Sequence, residues 1–293
     1  MSSQPTPSLF FSLVIAYIIP MFSHITTRTA EALQRLKPHL DLDEDAYEKN
    51  RRKIFACSPR LTLFNICFGV LGGLVHMSLV AGSFSAALAR LVPGAAGFAS
   101  MVGALLVWVV MTTVISMLIQ QALIFARIGR DHANVSLFGH HNLLPFGGVA
   151  ISSSLALIGA LSLFPLIGLE GGMDIKEIVP GAVATSVPLL VIFFMPVIPV
   201  HRRLASEKAR QLTAVNERID QYLAANAAAD DGNPCLHVDE QFTTMLAYRR
   251  EITDTPTWPF DVSNVAKLAL YLVIPPLTWV AAALMENLVD SVL

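Results

Sequence analysis

Three polar side chains recur at helical spacing within the third long apolar stretch of the chain. Thr113, Ser116 and Gln120 are separated by steps of three and four, so a helix places them on one face, and Arg127 follows two turns later. Hydroxyl and amide groups can replace part of the hydration shell of an ion or small polar solute. They can equally bond to a neighbouring helix. The stripe therefore predicts either a hydrated path or a helix–helix contact.

Two further apolar stretches carry small or polar residues that fit the same two interpretations. Ser153 is the middle member of a run of three serines in the fourth stretch. In the second stretch, Asn65 precedes Gly69 and Gly73, which form a G-x-x-x-G pair. Small residues at this spacing let two helix backbones approach closely. A path lined by the third and fourth stretches would include Ser153.

His76, in GGLVHMSLV, is the only ionisable residue well inside an apolar stretch. An ionisable group at such a depth can serve proton or ligand chemistry, and a neutral histidine can also bond to a neighbouring helix. A proton-coupled carrier ordinarily needs a buried carboxylate. The apolar stretches of this sequence contain none.

Motifs that would indicate an enzyme or a metal centre are missing from the sequence. It has no G-x-S-x-G, H-E-x-x-H or glycine-rich phosphate loop. His132, His140 and His141 share one loop, and Cys235 and His237 share another, but zinc ligands usually show tighter, paired spacing. We therefore predict a protein that is not an enzyme and holds no metal and no cofactor.

The composition predicts a polytopic membrane protein. Hydrophobic residues make up 54% of the chain and charged residues 14%, well below the charged share of a soluble domain. We expect an all-α bundle of about six transmembrane helices, or five if residues 8–24 lie flat in the membrane interface. The six apolar stretches are 8–24, 61–82, 97–126, 143–169, 178–200 and 262–285.

The cationic residues predict the orientation of these helices. Eighteen of the 20 Lys and Arg residues lie between stretches one and two, three and four, or five and six, with Lys267 counted at the start of the sixth. Only Arg90 and Lys176 fall on the other side. The positive-inside rule places the three cationic loops in the cytoplasm. The bias favours a bacterial inner membrane, and a net charge of −2 gives no indication of a nucleic-acid partner.

The last apolar stretch has interface anchors at both ends. Trp258 and Trp279 are 21 positions apart, about 32 Å along a helix, which matches the thickness of a bilayer core. Indole rings favour the two membrane interfaces. Asp261 follows Pro259 and is placed to cap the new helix. We expect a final span with an external C-terminus over residues 255–293.

The soluble parts are predicted to be helical. Residues 1–200 form the transmembrane region with a cytoplasmic loop at 26–60, in which Pro38 separates one or two short interfacial helices. Residues 201–254 form an antiparallel hairpin with DDGNP as its turn. Prolines 188 and 196 predict bends in the fifth span, next to this hairpin.

Two functions remain open from the sequence. The first is a homo-oligomeric channel or facilitator for an ion or small polar solute, lined by the polar stripe. The second is a membrane-anchored signal transducer or scaffold that engages a cytoplasmic protein partner through residues 202–252. In both cases the lipid bilayer is the main environment of the chain.

Overall fold

The computed structural model describes residues 6–90, 98–163, 175–229 and 240–260, apart from isolated positions elsewhere. Within these ranges the chain is all-helical, and its only strand-like pairing is a single antiparallel bridge between Leu40 and Ala133. Short 3-10 turns occupy Lys37–His39 and His140–Leu143. The α-helices are α1 (Thr6–Leu36), α2 (Glu44–Phe55), α3 (Pro59–Ala81), α4 (Phe84–Ala89), α5 (Phe98–Asp131), α6 (Leu144–Leu161), α7 (Ile175–Phe194), α8 (Ile198–Ala229) and α9 (Glu240–Asp254).

Five helical segments of the described chain are long and apolar enough to cross a membrane. They correspond to α1, α3, α5, α6 and the continuation of α7 into α8. The predicted sixth span, residues 262–285, falls almost entirely outside the described residues. The count of six therefore stays a prediction.

Local sequence accounts for where the helices begin and end. Asp43 caps α2 by accepting from the backbone N–H of Ala46, and Ser58 caps α3 in the same way, with Pro59 in the first helical position. Gly82 ends α3 in the left-handed conformation, at a φ of 79°. These local signals mark where α2 and α3 begin and where α3 ends.

Helix α5 lies at the centre of the bundle. One side packs against α1 and α6, and Leu118 from α5 meets Ile25 and Leu157 in a shared apolar cluster. Another side packs against α3. At 34 residues, α5 is about 51 Å long, so it projects well beyond the apolar bundle at one end.

The three cationic segments meet at that projecting end of the bundle. A single core cluster joins Leu36, Ile54, Phe125, Leu137 and Ile252, all at most 1% exposed, from α1, α2, α5, the loop after α5, and α9. The bridge between Leu40 and Ala133 ties the loops after α1 and α5 together. Residues that are distant in sequence thus form a compact, soluble-like core, which we call the basal core.

Proline has different effects at two positions of the predicted fifth span. Helix α7 runs through Pro188 without interruption and ends at Phe194. Pro196 lies in the short break between α7 and α8. The break fits the loss of a backbone donor at proline. In the predicted loop 26–60, α1 continues as far as Leu36, and only α2 forms a separate α-helix before α3.

Candidate functional site at the junction of hairpin and bundle

The segment that follows α9 bridges the break between α7 and α8. On the α7 side, the ring of Phe193 stacks on Phe260 with centroids 5.5 Å apart. On the α8 side, His201 stacks on Trp258 at 3.9 Å and 15°. Trp258 and Phe260 also stack on each other at 6.2 Å. These four rings connect the two helices across Pro196, and we call them the aromatic splint.

A hydrogen bond reinforces the α8 side of the splint. Nδ1 of His201 lies 3.2 Å from the carbonyl oxygen of Thr257. A carbonyl oxygen only accepts, so Nδ1 carries the proton in this contact. The ring stack and the hydrogen bond hold two adjacent residues of the segment, so it cannot slide along α8 without losing both.

Helix α6 forms the surface on which the splint rests. A Cβ atom at Gly147 would overlap the carbonyl oxygen of Pro259 and would lie 2.7 Å from Cδ1 of Phe260. A Cβ atom at the adjacent Gly148 would meet no described residue within 4 Å. Gly147 therefore permits a backbone-to-backbone approach that a larger residue would prevent.

Two cationic side chains of α8 cap the ends of other helices. Lys208 donates from Nζ to the carbonyl oxygens of Thr253 and Thr255, at 2.6 and 2.9 Å, at the C-terminal end of α9. Arg203 donates to the carbonyl oxygen of Arg130 at 3.2 Å, at the end of α5. Cations complement the unsatisfied carbonyl groups of a helix C-terminus. Through these bonds α8 holds α9 and α5 at the same junction.

A pair of glutamines on α5 fixes the C-terminal end of α2. Gln120 donates from Nε2 to the carbonyl oxygens of Lys53 and Ala56 at 2.7 and 3.1 Å. Gln121 donates to the carbonyl oxygen of Ile54 at 3.2 Å. Side chains thus satisfy three carbonyl groups at or near the end of α2.

Gln121 also joins α5 to α1. Its Nε2 lies 3.2 Å from Oγ1 of Thr26, and its Oε1 accepts from Oγ1 of Thr29 at 3.3 Å. Gln121 and Thr29 are fully buried. The Gln121 amide thus donates from Nε2 and accepts at Oε1 in a buried hydrogen-bond network between α1, α2 and α5. We call this network the polar knot.

Helices α3 and α5 pack antiparallel along the glycine pair. A Cβ atom at Gly69 would lie 2.7 Å from Cα of Val109, and one at Gly73 would lie 2.8 Å from Cδ2 of Leu105. The two backbones therefore approach as closely as glycine allows. The G-x-x-x-G pair serves a contact between helices of the same chain.

The polar stripe of α5 faces this seam. Continuing the antiparallel register by one turn from Gly69 places Asn65 opposite Thr113, and a second turn places Thr62 opposite Ser116. Thr113 donates to the carbonyl oxygen of Val109 at 2.8 Å, within its own helix. Asn65 is 1% exposed, and no described residue forms a hydrogen bond with its Nδ2. The stripe and the glycine seam thus form one continuous contact surface.

Of the other residues predicted to join the stripe, Ser153 and Arg127 are separated from it, and His76 lies further along the glycine seam. Ser153 is 1% exposed on α6, which packs mainly against α1 and α7. Arg127 is exposed on the projecting part of α5. His76 lies on α3 with its ring 5.8 Å from that of Trp108 on α5, and its buried Nδ1 has no hydrogen-bond partner among the described residues. The structure therefore brings Thr113, Ser116 and Gln120 to one helix face and places Ser153 and Arg127 elsewhere.

Of the three predicted interface anchors, the structure describes only Trp258. Its side chain is 42% exposed and carries the His201 stack. Asp261 and Trp279 lie outside the described residues. The anchoring role of all three stays a prediction.

Ion pairs around the basal core are exposed. Lys37 pairs with Glu44 at 2.8 Å, and this hydrogen bond raises the pKa of Lys37. Arg210, with Gln211 as a second donor, holds the pKa of the Glu207 carboxyl below its ordinary value. Exposed pairs of this kind contribute little to stability. The junction is therefore held mainly by apolar packing and by hydrogen bonds to helix ends.

Several residues of the junction carry little signal in the sequence. In the sequence, Gln121 is distinguished only by its position next to Gln120. Lys208 is a charged residue among the apolar positions of its helix. His201 and Phe193 have no distinguishing spacing. The one available signal was the proximity of Pro196 to the hairpin, together with the two prolines that flank Trp258.

Among the described residues, no three His, Cys, Asp or Glu side chains come together in a way that could hold a metal ion. Cys235 and His237 lie outside those residues. In comparisons with known proteins, the chain matches no protein-family model, no curated protein and no solved structure.

Proposed function

We propose that the chain is a non-enzymatic, multi-pass membrane protein that transmits conformational change between its apolar helices and the hairpin of α8 and α9. The observation that carries this proposal is the aromatic splint, which connects α7 to α8 across the break at Pro196. In this function the hairpin engages a cytoplasmic protein partner.

The contacts at the junction support this proposal because they link α8 to α6, α7 and α9. Displacement of α8 pulls on Trp258 through His201 and on the end of α9 through Lys208. The same segment presses on α6 at Gly147 and on α7 at Phe193. A shift on either side of the break therefore changes packing on the other, as a two-state coupling element requires.

Hydrogen–deuterium exchange of the purified full-length protein tests the coupling. Phe193→Ala removes one end of the splint, and we expect faster exchange in α9, some 50 positions away along the chain. Leu190→Ala is the matched control, because Leu190 lies one turn earlier on α7 and is 59% exposed. Equal exchange of α9 in the two variants would contradict the proposal.

A second function, a homo-oligomeric channel or facilitator for an ion or small polar solute, is favoured by a separate observation. Within the part of the chain that the structure describes, Nδ2 of Asn65 and Nδ1 of His76 are buried without a hydrogen-bond partner on the α3 side of the seam. A buried polar group left unpaired costs about 1–3 kcal/mol, so water or a solute in the seam would stabilise it. Polar groups at such a depth commonly line permeation paths.

Flux into proteoliposomes tests this second function, with potassium and glycerol as probes. Asn65→Leu should abolish a flux that the seam conducts. Ser152→Ala is the control, because Ser152 bonds within its own helix to the carbonyl oxygen of Gly148. Absence of flux in the wild-type protein, or unchanged flux in Asn65→Leu, would remove the seam as a path.

In the proposed orientation, the apolar helices lie in a bacterial inner membrane and the basal core lies on its cytoplasmic side. The support for this orientation is the charge asymmetry together with the meeting of the three cationic segments in one core.

A further inference from the structure

The geometry points to the corner between α2 and α3 as a docking surface for the headgroups of anionic lipids. Arg52 and Lys53 occupy the last turn of α2, and Arg60 occupies the first turn of α3. All three side chains are exposed, and none forms an ion pair within the part of the chain that the structure describes. The inference rests on the membrane insertion proposed above and adds a ligand to it.

The depth of this corner matches the headgroup layer. The uncharged run Leu61–Ala81 of α3 is about 32 Å long, close to the roughly 30 Å of a bilayer core. Arg60 directly precedes that run, so it lies where the core ends. Gln120 binds the carbonyl oxygens of Lys53 and Ala56, which fixes the end of α2 against α5 only a few residues before Arg60.

Helix electrostatics alone does not account for the three cations. Arg52 and Lys53 are favourable at the C-terminal end of α2, where the helix dipole is negative. Arg60 lies at the N-terminal end of α3, where the dipole is positive and a cation is unfavourable. A phosphate placed between the two helix ends would be attracted to all three side chains and to the N-terminus of α3.

The apolar surroundings fit a lipid better than a soluble anion. Phe55 is 57% exposed beside the cations, and Phe64 and Phe68 on α3 are 61% and 54% exposed. Aromatic rings next to cationic side chains are typical of surfaces that lie at a membrane interface. Glu48, the nearest acidic residue of α2 along the chain, pairs with Arg51 and leaves the three cations uncompensated.

Native mass spectrometry of the full-length protein in a neutral detergent tests the inference. Phosphatidylglycerol should bind more tightly than phosphatidylcholine to the wild-type protein. Replacing all three cations, Arg52→Gln, Lys53→Gln and Arg60→Gln, should weaken the binding of phosphatidylglycerol by about tenfold or more and leave phosphatidylcholine unaffected. Inorganic phosphate should not compete, because it lacks the acyl chains that meet the exposed rings.

Two further variants separate lipid docking from a loss of fold. Arg52→Lys with Arg60→Lys keeps the charges and should bind phosphatidylglycerol as the wild type does. Arg218→Gln, Arg249→Gln and Arg250→Gln removes three charges from the hairpin and should also leave binding unchanged. Equal affinity for the two lipids, equal losses in both triple variants, or full competition by phosphate would overturn the inference. The protein could still be membrane-embedded and coupled through the splint, so the proposed function would stand.

Discussion

Gly147 and Gly148 are neighbours on α6, but their surroundings differ. A Cβ atom at Gly147 would overlap the carbonyl oxygen of Pro259, whereas one at Gly148 would lie more than 4 Å from every neighbouring residue that the structure describes. Adding one methyl group at each position in turn therefore tests the contact between α6 and the splint. The pair also shows that a glycine can be structurally required without adopting an unusual backbone conformation.

Gly147→Ala should lower the apparent Tm of the purified protein, because the segment after α9 must move away from α6. Overpacking of this kind typically costs about 1–3 kcal/mol. Gly148→Ala should leave the Tm unchanged or raise it slightly, because alanine favours the helix. Intrinsic tryptophan fluorescence on heating measures both. Equal Tm values for the two variants would show that the contact with Pro259 is absent.

Gln121→Leu should loosen the end of α2, which then keeps only the hydrogen bonds from Gln120 to Lys53 and Ala56. The substitution leaves buried oxygens of Ile54 and Thr26 without their donor, at a cost of about 1–3 kcal/mol for each unsatisfied group. Cys57 follows α2 directly and is partly buried, so its rate of modification by maleimide should rise.

The measurement requires a background in which Cys67 and Cys235 are replaced by serine. Gln34→Leu, at an exposed position of α1, is the control and should not change the rate at Cys57. A rate in Gln121→Leu equal to that of the control would mean that the polar knot does not hold α2 in place.

At the scale of elements, one cationic side chain connects the two helices of the hairpin. In the sequence, Lys208 interrupts the apolar residues expected between these helices. The structure shows that its stem reaches across the seam and its ammonium group satisfies two carbonyl groups at the end of α9. The spacing of residues in one helix cannot reveal this, because the acceptors lie 45 and 47 positions away.

Lys208→Met should increase hydrogen exchange in the last turn of α9, because the terminal carbonyl groups lose their donor while most of the apolar stem is retained. Arg210→Gln is the control: Arg210 lies on the same helix, and its ion pair is with Glu207 of that helix and not with α9. Exchange that stays at the wild-type level in Lys208→Met would contradict the capping role.

Helix α1 shows what tertiary contacts add to an ambiguous element. Residues 8–24 are short for a span and contain Pro20, so composition allowed either a span or an interfacial helix. The structure has one helix of 31 residues that runs through Pro20. It packs along α5 and α6 and buries Val14, Ile18 and Ile25. Contacts along such a length favour a span in the proposed membrane orientation.

For the whole molecule, the proposed topology predicts that α2 and the hairpin lie on the same aqueous side. Single cysteines introduced at exposed Lys49 and Arg218, in a cysteine-free background, should both react with a membrane-impermeant maleimide in inverted vesicles. Neither should react in right-side-out vesicles. Reaction of the two sites on opposite sides would contradict both the topology and the basal core.

The sequence by itself determined the helical class, the positions of the apolar segments and the clustering of cations, because these depend on composition and spacing within about 20 residues. Tertiary structure decided which polar groups are paired. Gln120, predicted from its stripe, binds carbonyl groups 64 and 67 positions away, and the splint joins Phe193 to Phe260. Hydrophobic burial acts on local patterns, whereas a hydrogen bond or ring stack needs two precisely placed partners, and only the packed chain supplies the second.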